Sequence, residues 1–163
     1  MNSTSSNGTI AYAVKNPTTF ITGVSGTNYD WVYSFRDDKL WQSAKTIYDP
    51  CPPGWRVPTG GSDGVWSKAA NSSSSFSHTW DSTNKGMNFS GKFGSADTIW
   101  YPAAGYLGDD VGSLFDVGFS VDWWSCTPDG YYAYDLGLDY RGSVSPSGYS
   151  GRASGLSVRC LQE

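Results

Sequence analysis

The chain has 163 residues, enough for one domain with its own hydrophobic core and too few for a second large domain. Its 11 Lys and Arg residues against 15 Asp and Glu residues give a net charge of −4, without a basic stripe for nucleic-acid phosphates or an anionic membrane surface. No apolar run is long enough to cross a bilayer, so we expect neither a nucleic-acid partner nor direct membrane insertion.

The beginning of the chain predicts a tail followed by short strands. After the initial Met, residues 1–9 are only Ser, Thr, Asn and Gly, and we expect them to be a disordered tail. Residues 10–163 are predicted to form a single domain. Its first strands are predicted over residues 10–14 and 19–22, which an Asn-Pro pair separates.

The middle of the chain predicts a rigid connection, a helix and further strands. Four prolines and Gly54 favour an extended, rigid path over residues 49–58. Ser62 or Asp63 is predicted to cap a short helix over residues 65–70. Further strands are predicted over residues 86–90, 99–103 and 155–161. This order of elements indicates an α+β fold of mostly short strands and loops, with one or two helices.

Few side chains are suited to catalysis or metal binding. His78 is the only histidine and Glu163 the only glutamate, so acid–base chemistry would depend on Asp alone. No Cys-x-x-Cys pair exists for zinc, and the adjacent acids at 37–38 and 109–110 lack the oxygen-rich loop that calcium needs. We therefore expect no catalytic residues, no metal site and no cofactor, and we interpret the chain as not being an enzyme.

The three cysteines leave two arrangements open. Cys51 and Cys160 are the candidate disulfide, with Cys126 as a free thiol; alternatively, the candidate pair consists of two buried free thiols. A bridge between Cys51 and Cys160 would close a loop of about 110 residues, for which chain entropy predicts a stabilisation of roughly 4–5 kcal/mol.

Four strings of residues carry a family resemblance when they are taken together, in their order and spacing. They are KTIYDPCPPGWRVP at residues 45–58, WYPAAGY at 100–106, WSCTP at 124–128 and SVRC at 157–160. These strings resemble the major paralogous domain of gut bacterial surface lipoproteins, which is often attached to fimbrillin-type adhesins. The resemblance covers most of residues 10–163 and implies a C-type-lectin-like fold, related to the formylglycine-generating enzyme scaffold. It also implies an exported protein at the cell surface or outside the cell, whose signal and anchor lie outside this sequence.

The composition of residues 103–157 resembles that of the variable proteins of diversity-generating retroelements, which belong to the same group. This segment contains no Lys, Glu, Gln, Met, Ile, Asn or His, and Asp, Tyr, Ser and Gly are prominent in its turns. Adenine mutagenesis of Asn codons that end in a pyrimidine cannot produce Lys, Glu, Gln, Met or Trp, which resembles the set of residues that fill these turns. Ordinary drift in a Tyr- and Gly-rich loop is the alternative, and the nucleotide sequence distinguishes the two.

Aromatic and charged residues of the C-terminal third are the predicted ligand-binding face, because Tyr loses little entropy on binding while Ser and Gly add adaptable contacts. The face consists of Phe115, Asp116, Phe119, Val121, Asp122, Asp129, Tyr131, Tyr132, Tyr134, Asp139, Tyr140, Arg141 and Tyr149. Alternation along the strands predicts burial of Trp124, Leu136 and Leu138, and of one of Tyr131 and Tyr132.

The sequence therefore predicts a surface-displayed receptor or adhesin domain with a hypervariable C-terminal face, diversified by a retroelement. Its expected partner is a protein or glycan ligand on another cell or on a host surface. The alternative is a non-diversified adhesin or assembly subunit at a fimbrial tip, which binds a fixed host protein or glycan. The sequence predicts neither the identity of the ligand nor an oligomeric state.

Overall fold

The computed structural model describes residues 1–23, 29–34, 36–71, 77–90 and 98–163. The fold is α+β, 8% helical and 35% strand, as the sequence predicts. Two helices and ten strands lie in these ranges: α1 Ile10–Lys15, β1 Trp55–Arg56, α2 Val65–Asn71, β2 His78–Asp81, β3 Gly86–Ser90, β4 Thr98–Pro102, β5 Tyr106–Leu107, β6 Leu114–Phe115, β7 Ser120–Asp129, β8 Tyr132–Asp139, β9 Val144–Gly151 and β10 Leu161–Gln162. Neither helix within the described ranges has the length and apolar character needed to span a membrane.

The longest strands form a three-stranded antiparallel sheet in the order β7-β8-β9. In the pairing of β7 with β8, Val121 lies opposite Leu138. Trp123 lies opposite Leu136 in the same pair, and the register shifts after Trp124. The other sheets are β2-β3-β4 and the two-stranded pairs β1-β10 and β5-β6. Strand β8 is central, so its backbone is hydrogen-bonded along both edges.

The main hydrophobic core is formed by helix α2, strand β3 and the two strands β7 and β8. Its buried members are Trp66, Met87, Phe89, Val121, Trp123, Leu136 and Leu138. Trp124, Leu136 and Leu138 are all buried, which confirms the prediction for these three residues. The prediction that one of Tyr131 and Tyr132 is buried is wrong, because Tyr131 is exposed and Tyr132 is half-buried.

A second, smaller core surrounds a disulfide bond. Cys51 and Cys160 are bonded, with their Cα atoms 5.7 Å apart, and this decides between the two arrangements that the sequence leaves open. Cys126 is a buried free thiol in the same core, and burial raises its pKa. Strands β1 and β10 pair next to the bridge, with Arg56 opposite Leu161.

Asp49 holds the Pro-rich segment around the disulfide. Its Oδ1 accepts the N–H of Cys51 at 2.8 Å, and its Oδ2 accepts the N–H of Val57 at 3.0 Å. The Nζ of Lys45 lies 3.1 Å from Oδ1. Burial raises the pKa of the Asp49 carboxyl, but the hydrogen bonds and Lys45 outweigh burial and hold that pKa below its usual value.

The strand predicted over residues 10–14 is wrong, because these residues form helix α1. Thr9 caps this helix: its Oγ1 accepts the N–H of Tyr12 at 3.1 Å. An apolar run of only five residues fits little more than one helical turn as well as it fits a strand. The cap therefore determines the local structure here.

Two other predicted strands are reduced to isolated bridges. Residues 19–22 contain a single bridge, from Thr22 to Asn2, so part of the segment predicted to be a disordered tail lies against the domain. Residues 155–161 contribute bridges at Gly155 and Ser157, and strand β10 begins only at their last residue. The helix predicted over 65–70 and the strands predicted over 86–90 and 99–103 are confirmed as α2, β3 and β4.

Replacing both bonded cysteines, in the variant Cys51→Ser/Cys160→Ser, should lower the free energy of unfolding by about 3–5 kcal/mol. The reason is that the bridge constrains an unfolded chain over a sequence separation of 109 residues. Urea denaturation measures the change. The matched control, Cys126→Ser, keeps the bridge and should cost only about 1–2 kcal/mol for burying a hydroxyl. An equal loss in the two variants would contradict this role of the bridge.

Candidate functional site

Strand β8 and the turns at its two ends position most of the predicted binding residues. Seven residue steps separate the ends of this eight-residue strand, so the two turns lie roughly 23 Å apart. The predicted face therefore divides into two clusters. The Tyr131 cluster consists of Asp129, Tyr131, Tyr132, Tyr134 and Tyr149, and the Tyr140 cluster consists of Phe115, Asp116, Phe119, Asp139, Tyr140 and Arg141.

Tyr132 is the centre of the Tyr131 cluster. Its ring stacks on Tyr29 with a centroid distance of 5.4 Å, and it meets the ring of Tyr149 edge-on, also at 5.4 Å. The guanidinium of Arg36 lies 4.3 Å from the centre of the Tyr131 ring. Tyr149 and Tyr131 are 63% and 48% exposed, so both rings reach the solvent. The sequence did not identify Tyr29 and Arg36, because only folding brings them to this turn.

The remaining members of the Tyr131 cluster differ in exposure. Tyr134 is half-buried beside Gly61, where an added Cβ would lie 3.3 Å from the tyrosine ring. Asp129 is exposed at the end of β7. Gly130 follows it with a φ of 60°, a conformation that glycine adopts without strain. Asp129 therefore adds a negative charge beside the exposed rings.

The Tyr140 cluster is built on the turn between β8 and β9. The rings of Phe119 and Tyr140 meet edge-on at 5.7 Å, and the N–H of Tyr140 donates to the carbonyl oxygen of Phe119 at 2.7 Å. Asp139 Oδ1 accepts the backbone N–H groups of Arg141 and Ser143 at 2.9 and 3.1 Å, which holds the turn. The Nε of Arg141 donates to the Tyr140 hydroxyl oxygen at 3.2 Å. Asp139 thus shapes the turn that presents the two aromatic rings.

The segment before β7 completes the Tyr140 cluster. Phe115 is exposed, and its ring centre lies 5.8 Å from that of Tyr106. Asp116 has a φ of 54°, in the left-handed region that Asp tolerates better than most residues. The carbonyl oxygen of Asp116 accepts the N–H of Phe119 at 2.9 Å. This turn connects Phe115 and Asp116 to the exposed ring of Phe119.

The structure corrects the prediction for Val121, which is fully buried in the main core. Its side chain packs with the core residues of β8, so it cannot contact a ligand while the domain is folded. Asp122 follows Val121 and lies on the opposite face of the strand, where it is half-buried. Neither residue belongs to an exposed cluster.

Asp122 and Asp135 form a carboxyl pair on β7 and β8. Burial, together with smaller contributions from the charges of Asp135 and Asp116, raises the pKa of Asp122 to about 7. Burial also raises the pKa of Asp135 to about 6, although Ser150 Oγ donates a hydrogen bond to it at 2.7 Å. Gly137 adjoins the pair: an added Cβ would lie 2.8 Å from Asp122 Oδ1. The sequence did not identify Asp135 as the partner of Asp122.

The carboxyl pair is poorly placed for hydrolysis, although pairs of Asp or Glu can perform it. Asp135 is only 2% exposed, and its Oδ2 accepts the Ser150 hydroxyl, so the folded domain gives a substrate little access to it. His78 lies in β2, where its Nε2 is 3.1 Å from the carbonyl oxygen of Gly142. Among the residues that the structure describes, no group of three or more His, Cys, Asp or Glu side chains could hold a metal ion.

The variant Asp122→Asn should make stability less dependent on pH. The folded pKa of about 7 lies above the unfolded value near 3.9, so the folded state keeps a proton that the unfolded state releases between these pH values. Stability should therefore fall as pH rises from about 4 to about 7 in the native chain. At about 1.4 kcal/mol per pKa unit, the native chain should lose on the order of 2–4 kcal/mol more than the variant.

Urea unfolding at pH 4.5 and pH 8 measures this difference. The exposed carboxylate of Asp129 supplies the matched control, and Asp129→Asn should keep the native dependence on pH. Asp135 and Asp109, whose pKa values are also raised, contribute a slope of the same sign that remains in all three proteins. The same pH dependence in Asp122→Asn as in the native chain would show that the raised pKa of Asp122 does not cause the loss of stability.

The two clusters present Phe and Tyr rings, carboxylates and guanidinium groups to the solvent at the ends of one sheet. Such surfaces suit recognition of another molecule by contact, with aromatic anchors and charges that select the partner. Comparison with known proteins identifies no relative: no family model, curated protein or solved structure matches this chain.

Proposed function

We propose that the chain is a ligand-binding domain of C-type-lectin-like fold, displayed on a bacterial or phage surface, with the Tyr131 and Tyr140 clusters as its binding face. One observation carries this proposal: exposed aromatic rings lie at both ends of strands that also carry buried core residues. We call the buried core residues of β7 and β8 the frame. Tyr131, Tyr140 and Tyr149 are 48%, 48% and 63% exposed. Val121 and Leu136, on the strands that support them, are 0% and 1% exposed. The domain acts by binding and not by catalysis.

The division into frame and face supports diversification by a retroelement. Exposed turn residues can change without altering the core, because their side chains contribute little to its packing. The absence of Lys, Glu, Gln and Met from residues 103–157 agrees with mutagenesis of Asn codons at adenines. Trp123 and Trp124, which such codons cannot produce, are buried and do not belong to the exposed turns. The structure is α+β, with small sheets and few helices, and this is the broader class to which the proposed C-type-lectin-like fold belongs.

The exposed groups favour a protein or glycan partner on another cell or on a host surface. Tyr and Phe rings supply large contact areas at a small cost in conformational entropy. Asp116, Asp129 and Arg141 are exposed beside these rings, where their charges select among partners and steer encounters. The two clusters lie far enough apart to contact separate parts of one extended ligand.

The coding sequence and its surroundings test diversification directly. We expect a near-identical template repeat beside a reverse transcriptase gene, with the differences between repeat and gene confined to template adenines. The differences should fall in codons for exposed residues such as Tyr131 and Tyr140, and should spare the codons for Val121 and Leu136. A genome without such a repeat would contradict diversification and favour the fixed fimbrial-tip adhesin.

Tyr131→Ala should lower the free energy of unfolding by no more than about 1 kcal/mol, because the ring is 48% exposed and its interaction with the Arg36 guanidinium is weak at an exposed site. Leu136→Ala, in the neighbouring stretch of β8, should cost about 2–5 kcal/mol because it leaves a cavity in the core. Urea denaturation measures both variants. If the two substitutions destabilised the domain equally, Tyr131 would belong to the frame and not to the binding face.

A further inference from the structure

A cavity of about 340 Å³ is lined on one side by residues between Ala13 and Trp41. Residues of strands β7 and β8, and the segment that follows β9, line the other side. Three tryptophans, Trp31, Trp41 and Trp124, line it together with Phe20. The Nε1–H of Trp41 donates to the carbonyl oxygen of Tyr48 at 2.9 Å, which fixes the orientation of that ring. The volume is at the lower end of the range for small-molecule sites, about 300–1,000 Å³.

The charged residues of the cavity are two carboxylates and one guanidinium, from Asp37, Asp38 and Arg152. The guanidinium is already engaged: Nη2 of Arg152 lies 2.5 Å from Asp38 Oδ1, and Nη1 lies 3.7 Å from Asp30 Oδ2. Its Nε donates to the carbonyl oxygen of Tyr132 at 3.1 Å. Arg152 therefore has little capacity left to bind an anionic ligand, and its charge offsets that of Asp38.

Asp37 is the remaining charge of the cavity. Its Oδ1 accepts the backbone N–H of Lys39 at 2.9 Å, and within the described parts of the chain its carboxylate makes no ion pair. The neighbouring cation, Arg36, lies over the Tyr131 ring at 4.3 Å. One carboxylate that forms no ion pair with the described residues thus lines the same cavity as three tryptophans.

We propose that this cavity binds a small organic cation of the quaternary ammonium class, with the indole rings around it and Asp37 as its counter-charge. The face of an indole ring attracts cations, and the attraction grows as the cation loses water. A neutral apolar ligand would cover Asp37 without replacing its lost hydration, and an anion would be repelled by it. Trp31, Trp41 and Asp37 lie outside residues 103–157, and Trp124 lies within them but is buried, so the proposed site does not use the exposed residues of the binding face.

Choline and its neutral carbon isostere, 3,3-dimethylbutan-1-ol, test the proposal as a pair that differs in charge and little in shape. In an NMR titration of the whole chain, choline should shift the indole N–H signals of Trp31 and Trp41 saturably. The alcohol should bind at least about tenfold more weakly, because it lacks the attraction between cation and ring. The absence of a saturable shift, or equal affinity for both compounds, would overturn the proposal without any variant.

The variant Asp37→Asn tests the counter-charge, because Asn keeps the acceptor for the Lys39 N–H and removes only the charge. It should weaken choline binding about three- to fivefold. Asp63→Asn, which removes an exposed carboxylate outside the cavity and outside both clusters, should leave choline binding unchanged, and thermal melts check that both variants fold. Unchanged affinity in Asp37→Asn would contradict the role of Asp37. None of these results depends on finding a template repeat, so the two proposals fail separately.

Discussion

The pairing of β7 with β8 is the constraint on which the rest of the domain depends. Val121 lies opposite Leu138 and Trp123 opposite Leu136, and all four are at most 4% exposed. A slip of one residue would turn these side chains out of the core and bring Asp122 and Asp135 into it. The register that buries the apolar residues therefore also fixes where the two turns, and the clusters on them, are presented.

The Tyr131 cluster and the cavity share their support. Arg152 follows β9, and its guanidinium spans both sites: Nε holds the carbonyl oxygen of Tyr132, while Nη2 pairs with Asp38 in the cavity. Tyr29 and Arg36 contact Tyr132 and Tyr131 from the segment that also provides Trp31. The N-terminal part of the chain is thus a structural partner of the C-terminal face and a wall of a separate site.

Patterns in the sequence predicted the features that depend on residues close together in the chain, such as which side chains of a strand are buried. Alternation identified Leu136 and Leu138 as core, and the suitability of Tyr for binding surfaces pointed to Tyr131, Tyr140 and Tyr149, which are exposed. Contacts between distant segments were beyond such patterns: the stack of Tyr29 on Tyr132 and the pairing of Asp122 with Asp135 exist only once the strands are assembled. Helix α1 was missed for a different reason, because its short apolar sequence is compatible with both a strand and a helix, and the Thr9 cap decides between them.

Randomising Phe119, Tyr131, Tyr140 and Tyr149 together in a surface-display library tests the separation of frame and face most directly. A matched library should randomise the same number of buried positions in β7 and β8. We expect most members of the first library to be displayed as well as the native chain and to yield binders against new protein or glycan targets. We expect most members of the second library to be lost. A similar loss of display in both libraries would contradict a binding face that is free to vary.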